Sequence, residues 1–302
     1  MPELPEVETI RRQLEPELTG RRIEGAEVLD ERWTRPEPPA AIEAGLTGRT
    51  IDAVGRRGKY LLLGLDDGAT LVMHLRMTGN LLLAEPDGEE RRLGMDRLYP
   101  AATTPPHLRA ELALDDGRLL RFTDPRRFGH AHLLGPGELD PYLDSRIGVE
   151  PLSEDLTPEL IGRIAEGRVV PLKSFLLDQK GIAGIGNIYA DEALHRAELH
   201  PLSPAGSMKP EHCEALVDGI VDALETGLAE GGASIDDYRD ARGERGSMQD
   251  EFLVHTREGE PCPRCGGTIE RIVVGGRSTY FCPDCQVRLR KRPLRRKKRA
   301  AA

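Results

Sequence analysis

The stretch Leu176–Leu194, LLDQKGIAGIGNIYADEAL, indicates the fold of this chain most directly. Both ends have the apolar spacing of a helix, and Gly181, Gly184 and Gly186 interrupt the pattern between them. Because glycine adopts backbone conformations that other residues avoid, the stretch predicts a helix, a tight turn and a second helix. Backbone N–H groups in such a turn can point at an anion, although glycines there more often permit close packing. The turn is therefore either a packing device or an anion site.

Helical signals continue on both sides of this hairpin. Thr157 and Pro158 suit the N-cap and the first residue of an earlier helix. Apolar residues at every fourth position from Leu216 to Leu228 predict a later helix that ends at a pair of glycines. The segment 147–156, IGVEPLSEDL, predicts a linker, so the chain beyond it forms a helical domain.

The part of the chain before this linker has an extended pattern. The stretches 59–75, KYLLLGLDDGATLVMHL, and 110–124, AELALDDGRLLRFTD, each predict a strand, an Asp-Gly turn and a strand. Repeated hairpins with one apolar side favour a β-sandwich or a flattened barrel. The first residues differ, because Pro5 and the apolar spacing from Val7 to Leu18 predict a helix.

Four of the five cysteines form two C-x-x-C pairs, separated by sixteen residues that suit a β-hairpin. Each pair can present two thiolates to one ion, and a site with four thiolate ligands is closed, so a zinc ion there would be structural. Disulfide and redox pairs are the alternatives. Cys213, on the later helix, is predicted to be a small buried residue. The predicted zinc ligands are Cys262, Cys265, Cys282 and Cys285.

The charge of the chain is unevenly distributed. The 302 residues carry a net charge of −9. From Asp250 onward there are 13 Lys and Arg and 6 Asp and Glu, so this part carries +7 and the remainder carries −16. The terminal stretch RLRKRPLRRKKR could bind phosphates or could be a solvated tail. No apolar run approaches the ~18 residues of a membrane helix, and the charged N-terminus predicts no signal peptide.

Short motifs carry side chains that suit a nucleic acid, and each also has a purely structural interpretation. Phe128 stands beside two arginines in DPRRFGH, which suits a wedge in a base stack, but it could equally belong to the core. Met77 in HLRMTG could also be core filler. Arg277, next to two glycines, could reach a phosphate or point into solvent. Glu3 and Glu6 could simply complement the dipole of the first helix.

Taken together and in order, five motifs resemble the formamidopyrimidine-DNA glycosylase family over nearly the whole chain. They are MPELPEVET, RRGKYLLL, TDPRRFG, LLDQKGIAGIGNIYADEAL and GGRSTYFCPDCQ. The resemblance implies an α+β fold: an N-terminal β-sandwich with an N-terminal helix, a helical helix-two-turn-helix domain and a C-terminal zinc-finger β-hairpin. The expected division is 1–134 catalytic β-sandwich, 135–232 helix-two-turn-helix, 233–260 lesion-capping loop and linker, 261–286 zinc finger and 287–302 basic tail.

The resemblance also assigns roles at the N-terminus. Removal of Met1, which is expected before a residue as small as Pro2, would free the proline amine to attack C1′ of a damaged nucleotide. Glu3 corresponds to the acid–base residue and Glu6 to a supporting carboxylate. Lys59 resembles the residue that assists β-elimination. Arg277 resembles the finger residue that holds the lesion phosphate and assists δ-elimination.

The same resemblance implies a set of DNA contacts. Met77, Arg126 and Phe128 match the residues that fill the gap left by an extruded nucleotide. Asn187 matches a phosphate ligand in the glycine turn. Arg109 departs from the family, which often has a histidine there, and the basic tail is longer than usual. The implied DNA-binding residues are Met77, His107, Arg126, Phe128, Arg168, Lys173 and Asn187.

These implications lead to one expected function and to three alternatives. The expected protein is a monomeric, bacterial, cytoplasmic, nucleoid-associated enzyme of base excision repair. It would remove 8-oxoguanine and formamidopyrimidines from double-stranded DNA and nick the strand, with one structural zinc ion and no redox or organic cofactor. An endonuclease VIII-like enzyme for oxidised pyrimidines is the nearest alternative, but the stretch DDYRDARGERGSMQDEF resembles the lid that covers 8-oxoguanine. A catalytically idle DNA binder and a proline-dependent tautomerase are the others.

Overall fold

A computed structural model describes residues 1–84, 105–235 and 238–290. Its contacts divide the chain into two compact units. The first unit comprises Met1–Glu150, Ile182–Ile185 and Leu224–Glu251, and the second comprises Pro151–Gly181, Gly186–Ala223 and Phe252–Ala302. The middle of the glycine-rich turn thus belongs to the first unit, although the residues on either side of it belong to the second.

The first unit contains most of the strands. Its helices are α1 (Leu4–Leu18), α2 (Pro39–Leu46) and α3 (Leu139–Asp144). Its strands are β1 (Ile23–Val28), β2 (Ile51–Arg57), β3 (Tyr60–Leu65), β4 (Thr70–His74), β5 (Asn80–Ala84), β6 (Leu108–Leu114), β7 (Leu119–Thr123) and β8 (His130–Leu134). They form two antiparallel sheets with the orders β1-β6-β7-β5 and β2-β3-β4-β8.

A single apolar cluster joins both sheets and α1. It contains inward residues of each sheet, such as Leu63 and Leu120, together with Ile10 and Leu14 of the helix. The spacing from Val7 to Leu18 therefore does define a buried helix face. Both predicted hairpins form, β3 with β4 and β6 with β7, but they lie in different sheets. The predicted sandwich with an N-terminal helix is confirmed.

The second unit contains the helical hairpin and the cysteine hairpin. Its helices are α4 (Pro158–Ala165), α5 (Leu172–Leu177), α6 (Asn187–Arg196) and the first part of α7 (Pro210–Ala229), and its strands are β9 (Glu270–Val274) and β10 (Arg277–Phe281). Strands β9 and β10 pair as an antiparallel ribbon. Within the described parts of the chain, no helix is long and apolar enough to cross a membrane.

The glycine-rich turn packs tightly against the start of α1. Gly184 has a φ of +79°, and a Cβ built on it would lie 2.6 Å from Cδ1 and 2.8 Å from Cβ of Leu4. The backbone N–H of Leu4 donates to the carbonyl of Gly184 at 3.0 Å. A side chain at this position would therefore push the loop away from the first turn of α1.

We expect Gly184→Ala to destabilise the fold much more than Gly20→Ala. Gly20 has a similar φ of +81° but nothing within 4 Å of a built Cβ, so it isolates the backbone strain, about 1–2 kcal/mol. The alanine at 184 adds a core clash of about 1–3 kcal/mol. Urea unfolding of both variants measures the difference, and equal losses would contradict the packing argument.

Candidate active site, nucleic-acid interface and metal centre

The first turn of α1 is held by two carboxylates. Glu3 caps the helix and Glu6 closes a capping box, in which the N–H of Glu3 donates to Glu6 Oε2 at 2.7 Å. Glu6 Oε1 also accepts the N–H of Ala233 at 2.8 Å, and both carboxylates are almost fully buried. Glu6 is therefore occupied in fixing backbone around the N-terminus, which fits a supporting part. Met1 is present and 40% exposed, so the nitrogen of the buried Pro2 is here a peptide nitrogen.

Lys59 converges on the same loop as the start of α1. Its side chain is 6% exposed, and Nζ donates to the carbonyl of Ile185 at 3.1 Å. The preceding residue of the loop, Gly184, accepts the N–H of Leu4. Two successive carbonyls thus hold the N-terminal helix and the lysine. The glycine turn is at least a packing device, and it assembles one site from distant parts of the sequence.

An ion cluster supports the turn between β2 and β3 that presents Lys59. Arg56 lies between Glu8 and Glu150, at 3.0 Å from each, and all three side chains are largely buried. Glu150 also accepts the backbone N–H of Gly58. Burial by itself raises the pKa of Glu8, but hydrogen bonds from three arginines outweigh it and keep that pKa below its ordinary value. The carboxylate therefore stays ionised and holds the end of β2 in place.

Asp124 organises the two turns that carry the predicted wedge. The carboxylate is fully buried: Oδ1 accepts from the hydroxyl of Thr78 and from the N–H of Arg126 at 3.1 Å. Oδ2 accepts from the N–H groups of Phe128 and Gly129 at 2.9 and 2.7 Å. Sequence reasoning missed this residue, although an aspartate before Pro-Arg-Arg is a recognisable start of a side-chain-closed turn.

The wedge side chains themselves are exposed. Met77 is 40% exposed and Phe128 is 52% exposed, and the guanidinium of Arg126 lies 4.9 Å from the centre of the Phe128 ring. The interpretation of Met77 and Phe128 as core residues is therefore wrong. The buried carboxylate of Asp124 instead holds two neighbouring turns, and these turns carry the apolar side chains of Met77 and Phe128 and the cation of Arg126.

The residues near the predicted histidine contact also support this region. Arg109 donates from Nε to the carbonyl of Asp124 at 2.9 Å and lies 3.8 Å from Asp30. The carbonyl of His107 accepts the N–H of Asp124 at 3.0 Å. Asp30 also binds Arg127, whose hydrogen bond lowers the pKa of that carboxyl. Arg109 therefore has a clear structural role: it holds the loop that carries Phe128 through the carbonyl of Asp124.

In the second unit, the start of α6 contacts the tip of the cysteine hairpin. Asn187 is the first residue of α6, and its Nδ2 donates to the carbonyl of Ser278 at 3.0 Å. Ser278 directly follows Arg277, which is exposed at the start of β10. The structure thus brings the predicted phosphate-binding asparagine next to the finger strand that carries the arginine.

Two of the predicted DNA contacts are engaged inside this unit. Lys173 is fully buried, and its Nζ lies 2.7 Å from Asp191 Oδ1 and donates to the carbonyl of Asn187 at 2.6 Å. This corrects the expectation of a direct contact: the ammonium fixes the first turn of α6. Arg168 pairs with Asp178 at 2.8 Å and is half-buried.

The predicted lid is anchored at several points. The hydroxyl of Tyr238 donates to the carbonyls of Glu6 and Gly231, and Tyr238 and Ala241 belong to the core cluster of the first unit. Met248 is also fully buried. The first two residues of the predicted lid, 236–237, lie outside the described residues, as does 291–302 of the basic tail.

The four paired cysteines have the geometry of one metal site. Their sulfur atoms all lie within 4.8 Å of one another, with Cys262 and Cys285 at 3.8 Å and Cys265 and Cys282 at 3.6 Å. Four thiolates about 2.3 Å from a tetrahedral zinc ion are about 3.8 Å apart, so the donor set and spacing fit zinc. These separations are far too long for disulfides. Cys213 is buried, as predicted, and burial raises the pKa of its thiol.

Comparisons with known proteins agree with this geometry. The model of the formamidopyrimidine-DNA glycosylase N-terminal domain matches residues 1–131, and that of the H2TH domain of the same enzyme matches residues 147–239. The zinc finger found in FPG and IleRS matches residues 259–287. Together these models span most of the chain.

Whole proteins and solved structures match over nearly the full length. The formamidopyrimidine-DNA glycosylase of Chloroflexus aggregans is 49% identical over 95% of this chain and 99% of its own. That of Paracoccus denitrificans is 44% identical over 95% of this chain and 100% of its own. A Lactococcus lactis FPG mutant bound to Fapy-dG-containing DNA is 36% identical with a TM-score of 0.84, covering 94% of this chain and 99% of that one. The Lactococcus lactis Fpg complex with abasic-site DNA has the same identity and TM-score, covering 95% and 100%. The chain therefore belongs to the formamidopyrimidine-DNA glycosylase family.

Proposed function

We propose that this protein is a bifunctional DNA glycosylase and AP lyase that removes oxidised purines from double-stranded DNA. The observation that carries the proposal is the convergence of the first turn of α1 and Lys59 on the successive carbonyls of Gly184 and Ile185. The Lactococcus lactis relatives, solved with Fapy-dG-containing and abasic-site DNA, support a purine lesion as the substrate. They do not favour the endonuclease VIII-like alternative.

Pro2 is the proposed nucleophile once Met1 has been removed. An α-amino group has a pKa near ~8, against ~10.4 for lysine, so an appreciable fraction is unprotonated at neutral pH. Attack on C1′ of the damaged nucleotide expels the base and forms a C1′–N bond. Cleavage of the C1′–O4′ bond, with a proton transferred to the ring oxygen, then opens the sugar and forms an iminium, which must be positively charged because the amine is secondary. The iminium draws electrons from the sugar, so the 3′ phosphate leaves by β-elimination and the 5′ phosphate by δ-elimination.

Glu3 and Lys59 are the proposed proton-transfer groups at this site. Glu3 stands next to the nucleophile at the N-cap and would protonate the sugar ring oxygen or the leaving base. Lys59, held by Ile185, would assist β-elimination. Glu6, whose carboxylate accepts the backbone N–H groups of Glu3 and Ala233, would keep Glu3 in position.

The remaining residues would hold the opened DNA. Arg277 and Asn187 would bind the lesion phosphate, with Arg277 assisting δ-elimination. Met77, Arg126 and Phe128 would fill the space left by the extruded nucleotide, whose unstacking costs a few kcal/mol. His107 and Arg168 remain proposed contacts, whereas the buried Lys173 would act by positioning Asn187.

A structural zinc ion on Cys262, Cys265, Cys282 and Cys285 would fix the hairpin that carries Arg277. A closed four-thiolate site supplies folding free energy, not an open coordination position for chemistry. We also propose the division 1–134, 135–232, 233–260, 261–286 and 287–302, which the ranges of the three family models support. We further propose a bacterial, cytoplasmic enzyme that works as a monomer on nucleoid DNA. The organisms of the relatives named above support the bacterial origin.

Borohydride trapping tests the amine mechanism and the lesion class together. The protein, shown by mass to begin at Pro2, is incubated with duplexes that carry either 8-oxoguanine opposite cytosine or thymine glycol. We expect a covalent adduct with the 8-oxoguanine duplex, because reduction freezes the iminium. Preferential trapping on thymine glycol would instead support the endonuclease VIII-like alternative.

Pro2→Gly should keep duplex binding and lose most strand cleavage, since the secondary amine is gone while the DNA-binding surface is unchanged. Binding is measured by fluorescence anisotropy on abasic-site DNA and cleavage by single-turnover kinetics. Turnover near that of the wild type would show that the secondary amine of Pro2 is not required for strand cleavage.

Asp124→Asn should weaken the wedge. An amide has one acceptor oxygen, so its NH₂ group faces either the N–H of Arg126 or the N–H groups of Phe128 and Gly129. Leaving these donors without an acceptor costs about 1–3 kcal/mol in the free energy of unfolding. We expect slower 8-oxoguanine excision with unchanged zinc content. Asp67→Asn is the matched control, because Asp67 lies in another hairpin turn and accepts one backbone N–H, that of Ala69, and the half-exposed guanidinium of Arg49. Equal effects of both variants would contradict the special part of Asp124.

Removing zinc with a chelator should abolish DNA affinity, because the cysteine hairpin is too small to keep Arg277 in place without the metal. The measurement pairs anisotropy with counting of the thiols that react with an alkylating reagent. Affinity should return when zinc is added back. Unchanged affinity after verified zinc loss would contradict the proposed part of the hairpin.

A further inference from the structure

One buried histidine outside the cysteine hairpin contacts a predicted zinc ligand. His195, in the last turns of α6, is 1% exposed, and its Nε2 lies 3.3 Å from Sγ of Cys262. Its other ring nitrogen, Nδ1, is buried and has no hydrogen-bond partner among the described residues. The ring therefore makes its one observed polar contact with the sulfur.

The chemistry of a bound thiolate fixes the direction of this hydrogen bond. A cysteine sulfur that binds zinc carries no proton, so it can only accept. The proton must then reside on Nε2 of the imidazole. We propose that His195 donates an N–H···S hydrogen bond to the zinc-bound thiolate of Cys262 and thereby strengthens zinc binding. This inference rests on the structural zinc ion of the proposed function.

The surroundings of the site make such a donor valuable. Four thiolates and one Zn²⁺ carry a formal net charge of 2−. Cys262 and Cys282 are almost completely buried, in an apolar cluster with Val254 and Ile269. Water therefore contributes little to the solvation of these two sulfurs, and protein donors must replace it. Within the finger, the N–H of Gly267 lies 3.4 Å from Sγ of Cys265, and His195 supplies a donor to Cys262 from α6.

The hydrogen bond also ties α6 to the metal end of the hairpin. The first residue of the same helix, Asn187, is bound to the carbonyl of Ser278 in β10. His195 lies eight residues further along, which is about 12 Å of α-helix. The helix therefore holds the hairpin at two separate points. Zinc loading and the placement of Arg277 are coupled through His195.

The test compares three variants of the full-length protein. His195→Phe keeps a planar ring but removes the donor, and His195→Gln retains an N–H group. His200→Phe is the matched control, because His200 packs edge-on against Phe281 at 4.7 Å in the same unit. The zinc dissociation constant is measured by competition with a chelator, and the cobalt-substituted proteins are compared by their sulfur-to-metal charge-transfer bands.

We expect His195→Phe to weaken zinc binding about 10-fold, the lower end of the effect of removing a hydrogen bond to a metal ligand. The charge-transfer band should shift to lower energy, because the sulfur lone pair loses a donor. His195→Gln should recover part of both effects, and His200→Phe should show neither. Zinc affinity and cobalt spectrum unchanged in His195→Phe would overturn the proposal and leave His195 a packing residue.

A measurement on the wild-type protein keeps the test decisive if a variant does not fold. In zinc-loaded protein labelled with ¹⁵N at histidine, the Nε2 of His195 should carry a slowly exchanging proton. An unprotonated Nε2 would overturn the proposal. Wild-type protein that binds no zinc would overturn both the zinc site and this inference, whereas zinc-loaded protein without the N–H···S bond would overturn the inference alone.

Discussion

Two successive carbonyl groups, those of Gly184 and Ile185, hold the candidate active site together. The first accepts the backbone N–H of Leu4 at the start of α1, and the second accepts Nζ of Lys59. Both bonds depend on a backbone conformation with positive φ at Gly184 and on the absence of a Cβ where Leu4 packs. A loop only four residues long, Ile182–Ile185, thereby joins the β-rich unit although its flanking helices belong to the other unit. The first turn of α1 and Lys59, which the proposed mechanism uses together, lie close to each other because both bind this loop.

Several buried carboxylates in this protein each accept hydrogen bonds from two or more backbone N–H groups. Asp124 accepts the N–H groups of residues 126, 128 and 129, and Glu6 accepts those of residues 3 and 233. Glu192 does the same for the N–H groups of residues 253–255, which lead into the cysteine hairpin. Charge-assisted hydrogen bonds of this kind are about twice as strong as neutral ones, so each carboxylate fixes a loop that has no sheet or helix of its own. Several of the proposed site residues lie on or beside these loops, and the carboxylates hold the loop backbone through hydrogen bonds.

The distribution of ion pairs explains how a chain with a net negative charge can present a surface for DNA. Some cations form ion pairs inside the protein: Lys173 pairs with Asp191, and Arg56 pairs with Glu8 and Glu150. Others remain exposed, such as Arg277 at the start of β10. The sign of the total charge therefore says little about the charge that faces a ligand, since binding depends on which cations lack an internal partner.

The sequence alone determined everything that depends on local spacing. The buried face of α1, both Asp-Gly hairpins, the helix pair around the glycine turn and the four-cysteine metal site all follow from periods of two, of about four, or from a C-x-x-C pair. The motifs were also sufficient for the family. Tertiary structure decided which hairpin joins which sheet, that Lys173 is buried, that Asp124 joins the two wedge turns and that His195 contacts Cys262. These depend on pairing between residues far apart in the chain, where identical local patterns are compatible with several partners. Packing, and the need for every buried polar group to form a hydrogen bond, select one pairing among these residues. That pairing cannot be predicted from any short stretch of the sequence.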